Sequence, residues 1–293
     1  MQFTPNRRNV LQAATAGLAT LSVGRLGKAS ALPPEVNLQF GLVTYLWGKD
    51  MTLPELLATC EAAGVGGVEL RTEHKHAVEP TLNAHQRSEV RKRFADSPVE
   101  LVGYGANCEF HSDDPSAVKA NIEQAKGYIQ LMHDCGGSGV KVKPNGFPKG
   151  LSRQQTIEQI GTSLNEVAEY GLGFGQKIRV EVHGKGTSEL PVIRDIFEVA
   201  DHENAFVCWN CNGEDLAGEG LEANFKMVQK RIGDTTHIRE MNLEDYPYPE
   251  LMKLLVDAKC EGWVLLEART NPQDKVAALI EQRKIFERLI QAS

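Results

Sequence analysis

The chain has 293 residues, of which 41% are hydrophobic and 24% are charged, so it can build one large globular domain or two small ones. Its formal net charge is −7 at pH 7 and no long basic run occurs, which excludes the electrostatic footprint of a nucleic-acid-binding protein. A small molecule such as a sugar is therefore the expected partner. Composition leaves the oligomeric state open, a homo-oligomer included.

Residues 1–31 differ in kind from the rest of the chain. Arg7 and Arg8 precede a mildly apolar run of small residues without an acidic side chain, and Ala29–Ala31 offers a small-x-small cleavage site. This segment resembles a twin-arginine export signal, so we expect the mature protein to be periplasmic or otherwise exported. An ordinary secretory signal or an uncleaved anchor is the alternative. The run is short for a membrane span, and none is expected after cleavage.

From Leu38 onward, β-rich runs alternate with helical stretches. Eight strands are predicted, at residues 38–47, 66–70, 99–105, 139–143, 178–184, 205–210, 236–240 and 262–268. Between the first two, Thr52 is a predicted helix N-cap and Gly64 a predicted helix end. Strict β and α alternation over about 260 residues predicts an α/β fold, a single-domain (β/α)₈ TIM barrel over residues 32–293. A doubly wound open sheet is the alternative, but its Gly-rich phosphate loop after the first strand is missing.

Active-site groups of such a barrel come from the C-terminal ends of its strands. In the second half of the chain this rule selects Glu181, Asn210, His237 and Glu267, one from each of four consecutive strands. Carboxylate, amide and imidazole ligands together suit one divalent metal ion, Mn²⁺ first, with Co²⁺, Mg²⁺ or Zn²⁺ as alternatives.

Four sequence motifs carry a family resemblance. They are "TLPELLATCEAAGVGGVELR" (52–71), "VEVHG" (180–184), "THIRE" (236–240) and "EGWVLLEA" (261–268). On these motifs the chain resembles the xylose isomerase-like TIM barrels, which include sugar isomerases, sugar epimerases and one type of DNA-repair endonuclease. The resemblance extends from Phe40 to the C-terminus.

The resemblance implies a single metal bound by a Glu, an Asp, a His and a Glu, and these positions are Glu181, Asn210, His237 and Glu267. This chain departs from the family pattern where Asn210 replaces the Asp, so weaker metal binding or a different metal preference is expected. Asn212 is the alternative ligand.

By the same resemblance, Glu181 and Glu267 act as base and acid on opposite faces of an enediolate. His183, two residues after Glu181 and on the same side of the strand, is expected to contact substrate or to shuttle a proton. Lys143, Arg239 and Trp47 are further predicted substrate-binding residues.

The function predicted from these residues is that of a divalent-metal-dependent isomerase or epimerase. It would act on a non-phosphorylated sugar or polyol by proton abstraction next to a carbonyl group. A 3-keto-glycoside lyase, which eliminates the aglycone after the same first step, is one alternative. A carbohydrate-binding barrel without catalysis is the other, and the asparagine at position 210 is its motivation.

Overall fold

A closed barrel of eight parallel strands forms the centre of the protein, with the strands in sequence order. The computed structural model describes residues 36–293, and the predicted export signal in residues 1–31 lies outside the described residues. Within the described range every strand is followed by an α-helix, so the predicted (β/α)₈ TIM barrel is confirmed. None of the helices in this range combines the length and hydropathy needed to cross a membrane.

The elements have the following bounds. The strands are β1 (Leu38–Val43), β2 (Gly67–Arg71), β3 (Glu100–Glu109), β4 (Gly139–Lys143), β5 (Lys177–Glu181), β6 (Ala205–Asn210), β7 (Ile232–Ile238) and β8 (Gly262–Leu266). The helices are α1 (Leu53–Ala63), α2 (Ala84–Ala95), α3 (Pro115–Cys135), α4 (Arg153–Gly173), α5 (Leu190–Val199), α6 (Leu221–Val228), α7 (Tyr248–Asp257) and α8 (Lys275–Ala292). Short 3₁₀ helices occupy Gly213–Leu216, Gln229–Arg231 and Met241–Leu243.

The helix boundaries follow the capping residues of the sequence. Thr52 caps α1 in a reciprocal pair with Glu55, whose carboxylate accepts the Thr52 backbone N–H at 2.7 Å. Gly64 ends α1 with a φ of 69°, a left-handed conformation that glycine adopts without strain. The predicted start and end of α1 are therefore confirmed.

Three strands are shorter than predicted, and the eighth of the barrel ends at Leu266 instead of residue 268. The first ends at Val43 instead of residue 47, because the Thr44 hydroxyl accepts the Arg71 backbone N–H at 3.0 Å and the chain then turns. The fifth ends at Glu181 instead of residue 184, and Gly184 has a φ of 97° that no extended strand contains. All three differences lie at the end of the barrel where the predicted site is found.

A buried ion pair fills the opposite end of the barrel. Arg179 on β5 is fully buried, and its guanidinium donates to both carboxylate oxygens of Asp234 on β7, at 2.8 and 3.0 Å. It also donates to the Val102 carbonyl oxygen at 3.0 Å. A Cβ atom at Gly103 would lie 2.4 Å from the guanidinium, so the glycine provides the space that the arginine fills. We therefore expect this ion pair to stabilise the end of the barrel opposite the predicted site.

We expect Asp234→Ala to lower the free energy of unfolding at pH 7 by about 3 kcal/mol, because it leaves the buried Arg179 charge unpaired. Burial opposes ionisation of Asp234, but Arg179 and Lys177 outweigh it and hold the pKa of this carboxyl below its usual range. Its stabilisation is therefore complete above about pH 4 and is lost as the pH falls through the lowered pKa. Urea denaturation of both proteins at pH 7 measures the cost of the substitution. The same measurement at pH 3 shows how much of the difference between them is lost when Asp234 is protonated.

The matched control is Asp257→Ala, which removes an exposed carboxylate paired with Lys253 on α7. We expect that variant to change the free energy by less than about 0.5 kcal/mol. Equal effects of the two substitutions would contradict the importance of the Arg179 pair.

Candidate metal centre and active-site pocket

The four predicted ligands meet at the C-terminal end of the barrel. Glu181 ends β5, Asn210 ends β6 directly opposite His237 on β7, and Glu267 follows β8. Glu181 Oε1 accepts the Asn210 Nδ2–H at 2.9 Å and lies 4.0 Å from His237 Nδ1. Glu267 Oε2 lies 3.9 Å from the same nitrogen. The order of the parallel strands thus brings four residues that are far apart in sequence into one cluster.

The His237 ring has the environment of a metal ligand. Its Nε2 lies 3.4 Å from a carboxylate oxygen of Glu69 on β2, while its buried Nδ1 has no hydrogen-bond partner among residues 36–293. A carboxylate behind one ring nitrogen orients the other toward a metal. Ligand atoms of Glu181, His237 and Glu267 all lie within 4.8 Å of one another. These residues therefore fit one divalent ion.

The two asparagines after β6 differ in how their side chains are used. Asn210 donates its Nδ2–H to Glu181, which leaves Oδ1 as the atom able to bind an ion. Asn212 donates to the carbonyl oxygens of Val182 and Asn210 at 2.8 and 2.7 Å, and its Oδ1 accepts from Arg239 at 3.0 Å. All its polar atoms are engaged, so Asn210 is the better candidate ligand of the two.

Each glutamate of the cluster is also held by a cation. Lys141 on β4 pairs with Glu181 Oε2, and both side chains are buried. Arg71 at the end of β2 pairs with Glu267 Oε1 at 2.7 Å. Burial opposes ionisation of Glu181, but Lys141 outweighs it and lowers the pKa of this carboxyl. Glu181 is therefore ionised, with one oxygen on Lys141 and the other toward His237.

A pocket of about 260 Å³ opens above the cluster. Its wall is formed by Tyr45, Arg71, Lys143, Glu181, His183, Asn210, Asn212, Arg239, Glu267 and Arg269. The structure thus brings Lys143, His183 and Arg239 to the pocket, as the sequence predicted, although their roles stay predictions.

Trp47 does not line the pocket, contrary to the prediction. It was predicted to contact substrate, but it is only 2% exposed, and its Nε1–H donates to the Thr270 carbonyl oxygen at 2.9 Å. The first strand was predicted to run to residue 47, whereas β1 ends at Val43 and the chain turns before it reaches Trp47. Tyr45 lies in the pocket wall instead, with the Arg71 guanidinium 5.2 Å from its ring centroid.

A chain of hydrogen bonds fixes the tautomer of His183. Its Nδ1 lies 2.7 Å from Asn145 Oδ1, and Asn145 in turn donates its Nδ2–H to Glu109. The Asn145 oxygen can only accept, so His183 Nδ1 carries the proton. Burial lowers the pKa of His183, which makes the neutral ring the dominant form at pH 7, with Nε2 as its unprotonated nitrogen.

Sequence reasoning did not single out Tyr45, Asn145 or Arg269. Arg269 follows Glu267 by two residues after a strand, a spacing that could have indicated a second side chain at the same end of the barrel. Asn145 has a φ of 61° in a loop, and its Asn-Gly pair with Gly146 indicates a turn of this kind without indicating the contact with His183.

The fold and the site define a (β/α)₈ barrel with a candidate divalent-metal centre at the C-terminal ends of its strands. The sequence model of the xylose isomerase-like TIM barrel family matches residues 57–288, and the chain belongs to this family.

Three solved structures share this architecture. The apo form of YcjR, the 3-keto-D-glucoside 4-epimerase of E. coli, is 13% identical with a TM-score of 0.71, covering 86% of this chain and 99% of its own. An L-ribulose 3-epimerase is 16% identical with a TM-score of 0.73, covering 87% and 95%. The IolI protein with a bound zinc atom is 16% identical with a TM-score of 0.69, covering 87% and 98%. No curated protein matches the sequence.

We expect the purified protein to bind about one divalent ion per chain and Glu267→Gln to weaken that binding by at least about tenfold, because a charged ligand is lost. Elemental analysis and Mn²⁺ titration measure the effect. Glu261→Gln is the control, since it changes an exposed glutamate just before β8 at the other end of the same strand. Equal metal binding by both variants would contradict the site.

Glu69→Gln tests whether the carboxylate behind His237 supports the ion without contacting it. We expect Mn²⁺ affinity to fall by about 10- to 100-fold, because the ring loses the partner that orients it. Glu100→Gln, an exposed change at the start of β3, should leave the affinity unchanged. A thermal melt of each variant separates weaker metal binding from unfolding, and a folded Glu69→Gln protein with full affinity would refute the assignment.

Proposed function

We propose that the protein is a divalent-metal-dependent isomerase or epimerase that acts on a non-phosphorylated sugar or polyol by proton abstraction next to a carbonyl group. One observation carries the proposal: His237 Nδ1, without a protein partner in residues 36–293, faces oxygens of Glu181 and Glu267 at 4.0 and 3.9 Å beneath the pocket. Three ligands leave positions on an ion for substrate oxygens. Family membership supports the same reaction class.

A divalent ion in this site would supply polarisation of a carbonyl and a neighbouring hydroxyl, which acidifies the adjacent C–H bond. The protein side chains then have separate tasks. Lys141 stabilises the ionised form of Glu181, and this makes Glu181 a weaker proton acceptor. We assign proton abstraction to Glu267, because its side chain is 15% exposed to the pocket against 1% for Glu181, while Arg71 orients it through a 2.7 Å ion pair.

The fate of the proton decides between the two reaction types. Delivery of a proton to the opposite face of the same carbon inverts it and gives an epimer. We assign this delivery to Glu181, which is ionised in the resting protein and first takes a proton from solvent, while Glu267 releases the abstracted proton to solvent. Return of the abstracted proton by Glu267 to the neighbouring carbon gives an isomer. We assign to His183 the accompanying transfer of the hydroxyl proton to the former carbonyl oxygen, because its unprotonated Nε2 can accept that proton.

A 3-keto-glycoside lyase is the second candidate. Abstraction of the proton next to a 3-keto group gives the same carbanion, which expels the aglycone when that leaving group is β to it. The similarity to a protein described as a 3-keto-D-glucoside 4-epimerase favours this substrate class for the present pocket as well.

The test is proton exchange with solvent. Protein loaded with Mn²⁺ is incubated in D₂O with ketohexoses and with 3-keto-glycosides, and NMR follows deuterium at the carbon next to the carbonyl. We expect exchange with at least one class and a loss of about 10²- to 10⁴-fold in Glu267→Gln, because the proton acceptor is removed. Glu261→Gln should exchange at the unaltered rate.

The products separate the candidates. An epimeric or isomeric sugar supports the first proposal, and release of the aglycone supports the lyase. A protein that binds both the ion and sugars without exchange is a carbohydrate-binding barrel, and catalysis is then refuted.

A further inference from the structure

Positive charge dominates the pocket wall although the whole chain has a formal charge of −7. Four cationic side chains face two carboxylates there: Arg71, Lys143, Arg239 and Arg269 against Glu181 and Glu267. Both carboxylates are already paired, with Lys141 and Arg71. Lys143, Arg239 and Arg269 form no ion pair with any carboxylate in residues 36–293. The pocket thus presents unneutralised cations to its ligand.

Among the cations of the pocket, Lys143 has the environment that most favours an anionic ligand. The residue is only 9% exposed, and its ammonium group has no hydrogen-bond partner in the described part of the chain. Burial, followed by the nearby Lys141, lowers its pKa. An ammonium group without a partner in a poorly solvated site is costly, and an anionic ligand would offset that cost. Arg239 donates one Nη2–H bond to Asn212, and its other side-chain donors have no partner in the part of the chain that the structure describes.

A phosphate group is disfavoured by the loop after β8. Barrels of this type commonly bind phosphate through backbone N–H groups of the loops after the seventh and eighth strands. Here the buried Glu240 carboxylate accepts the Arg269 N–H at 3.0 Å, the Thr270 N–H at 2.6 Å and the Thr270 hydroxyl at 2.6 Å. A protein carboxylate already occupies those donors, and it would repel a phosphate placed beside it.

We propose that the pocket binds a sugar acid, with the substrate carboxylate held by Lys143 and Arg239. The inference rests on the proposed function, because it names the substrate class of the same pocket. Arginine matches a planar carboxylate with two parallel donors, whereas a neutral polyol would leave both cations without a charged partner.

Three acyclic six-carbon probes test the charge preference: gluconate, glucitol and glucitol 6-phosphate. Calorimetry at low ionic strength, with Mn²⁺-loaded and with metal-stripped protein, gives their affinities. We expect gluconate to bind at least about tenfold more tightly than glucitol, and each of Lys143→Met and Arg239→Gln to lower gluconate affinity by about tenfold, because a charge-assisted hydrogen bond is lost. Glucitol affinity should change less than about twofold.

Arg288→Gln is the charge-matched control, since it removes an exposed arginine near the end of α8. Absent gluconate binding, equal affinity for gluconate and glucitol, or tighter binding of glucitol 6-phosphate overturns the inference. A preference for gluconate that both variants retain also overturns it, because the carboxylate then lies on the ion. Gluconate binding that depends on Lys143 without metal supports the inference even in a protein that exchanges no substrate proton, and the proposed function alone then fails.

Discussion

Carboxylates inside this barrel are paired with cations that reach them from other strands. At one end Lys141 pairs with Glu181 and Arg71 with Glu267, while at the other end Arg179 holds Asp234. An unpaired charge at such depth would be neutralised by a shifted pKa or would destabilise the fold. The two groups differ in one respect: the Arg179 pair is completed by the protein alone, whereas in the upper cluster His237 Nδ1 has no hydrogen-bond partner among residues 36–293. A ligand is therefore expected at the end of the barrel that contains His237.

Asparagine at position 210 can be understood from this charge balance. Glu181 and Glu267 contribute two negative charges, and Lys141 and Arg71 contribute two positive ones, so these four groups are neutral before an ion binds. A divalent cation therefore meets less attraction than it would beside a third carboxylate. Binding must depend more on geometry, with His237 held by Glu69, Glu181 by Lys141 and Asn210, and Glu267 by Arg71. An amide at position 210 reduces charge and keeps an oxygen ligand.

The barrel and the ligand cluster were accessible from sequence because both depend on regular repetition. Each strand is marked by a β-rich run, and a parallel barrel places every strand end on one face, so Glu181, His237 and Glu267 could be grouped without knowing a single contact. Contacts between side chains of different strands were not accessible. Lys141 and Glu181 lie 40 residues apart, and their pairing depends on the register of β4 against β5. The prediction for Trp47 was wrong for a local reason. The Thr44 hydroxyl accepts a backbone N–H, and the chain leaves the strand before it reaches Trp47.

The contact between Trp47 and Thr270 has a consequence for the order in which the protein folds. It joins the loop after β1 to the loop after β8 across 223 residues, beside the pairing of β1 with β8 that closes the barrel. Closing so long a segment carries an entropic cost that only the final packing offsets. Arg269 and Glu267 belong to this last unit, so the pocket is complete only after both chain ends of the barrel have met. During synthesis, the first seven units, which contain the candidate ligands Glu181, Asn210 and His237, would emerge while the seam is still open. Assembly of the site is thereby coupled to completion of the whole fold.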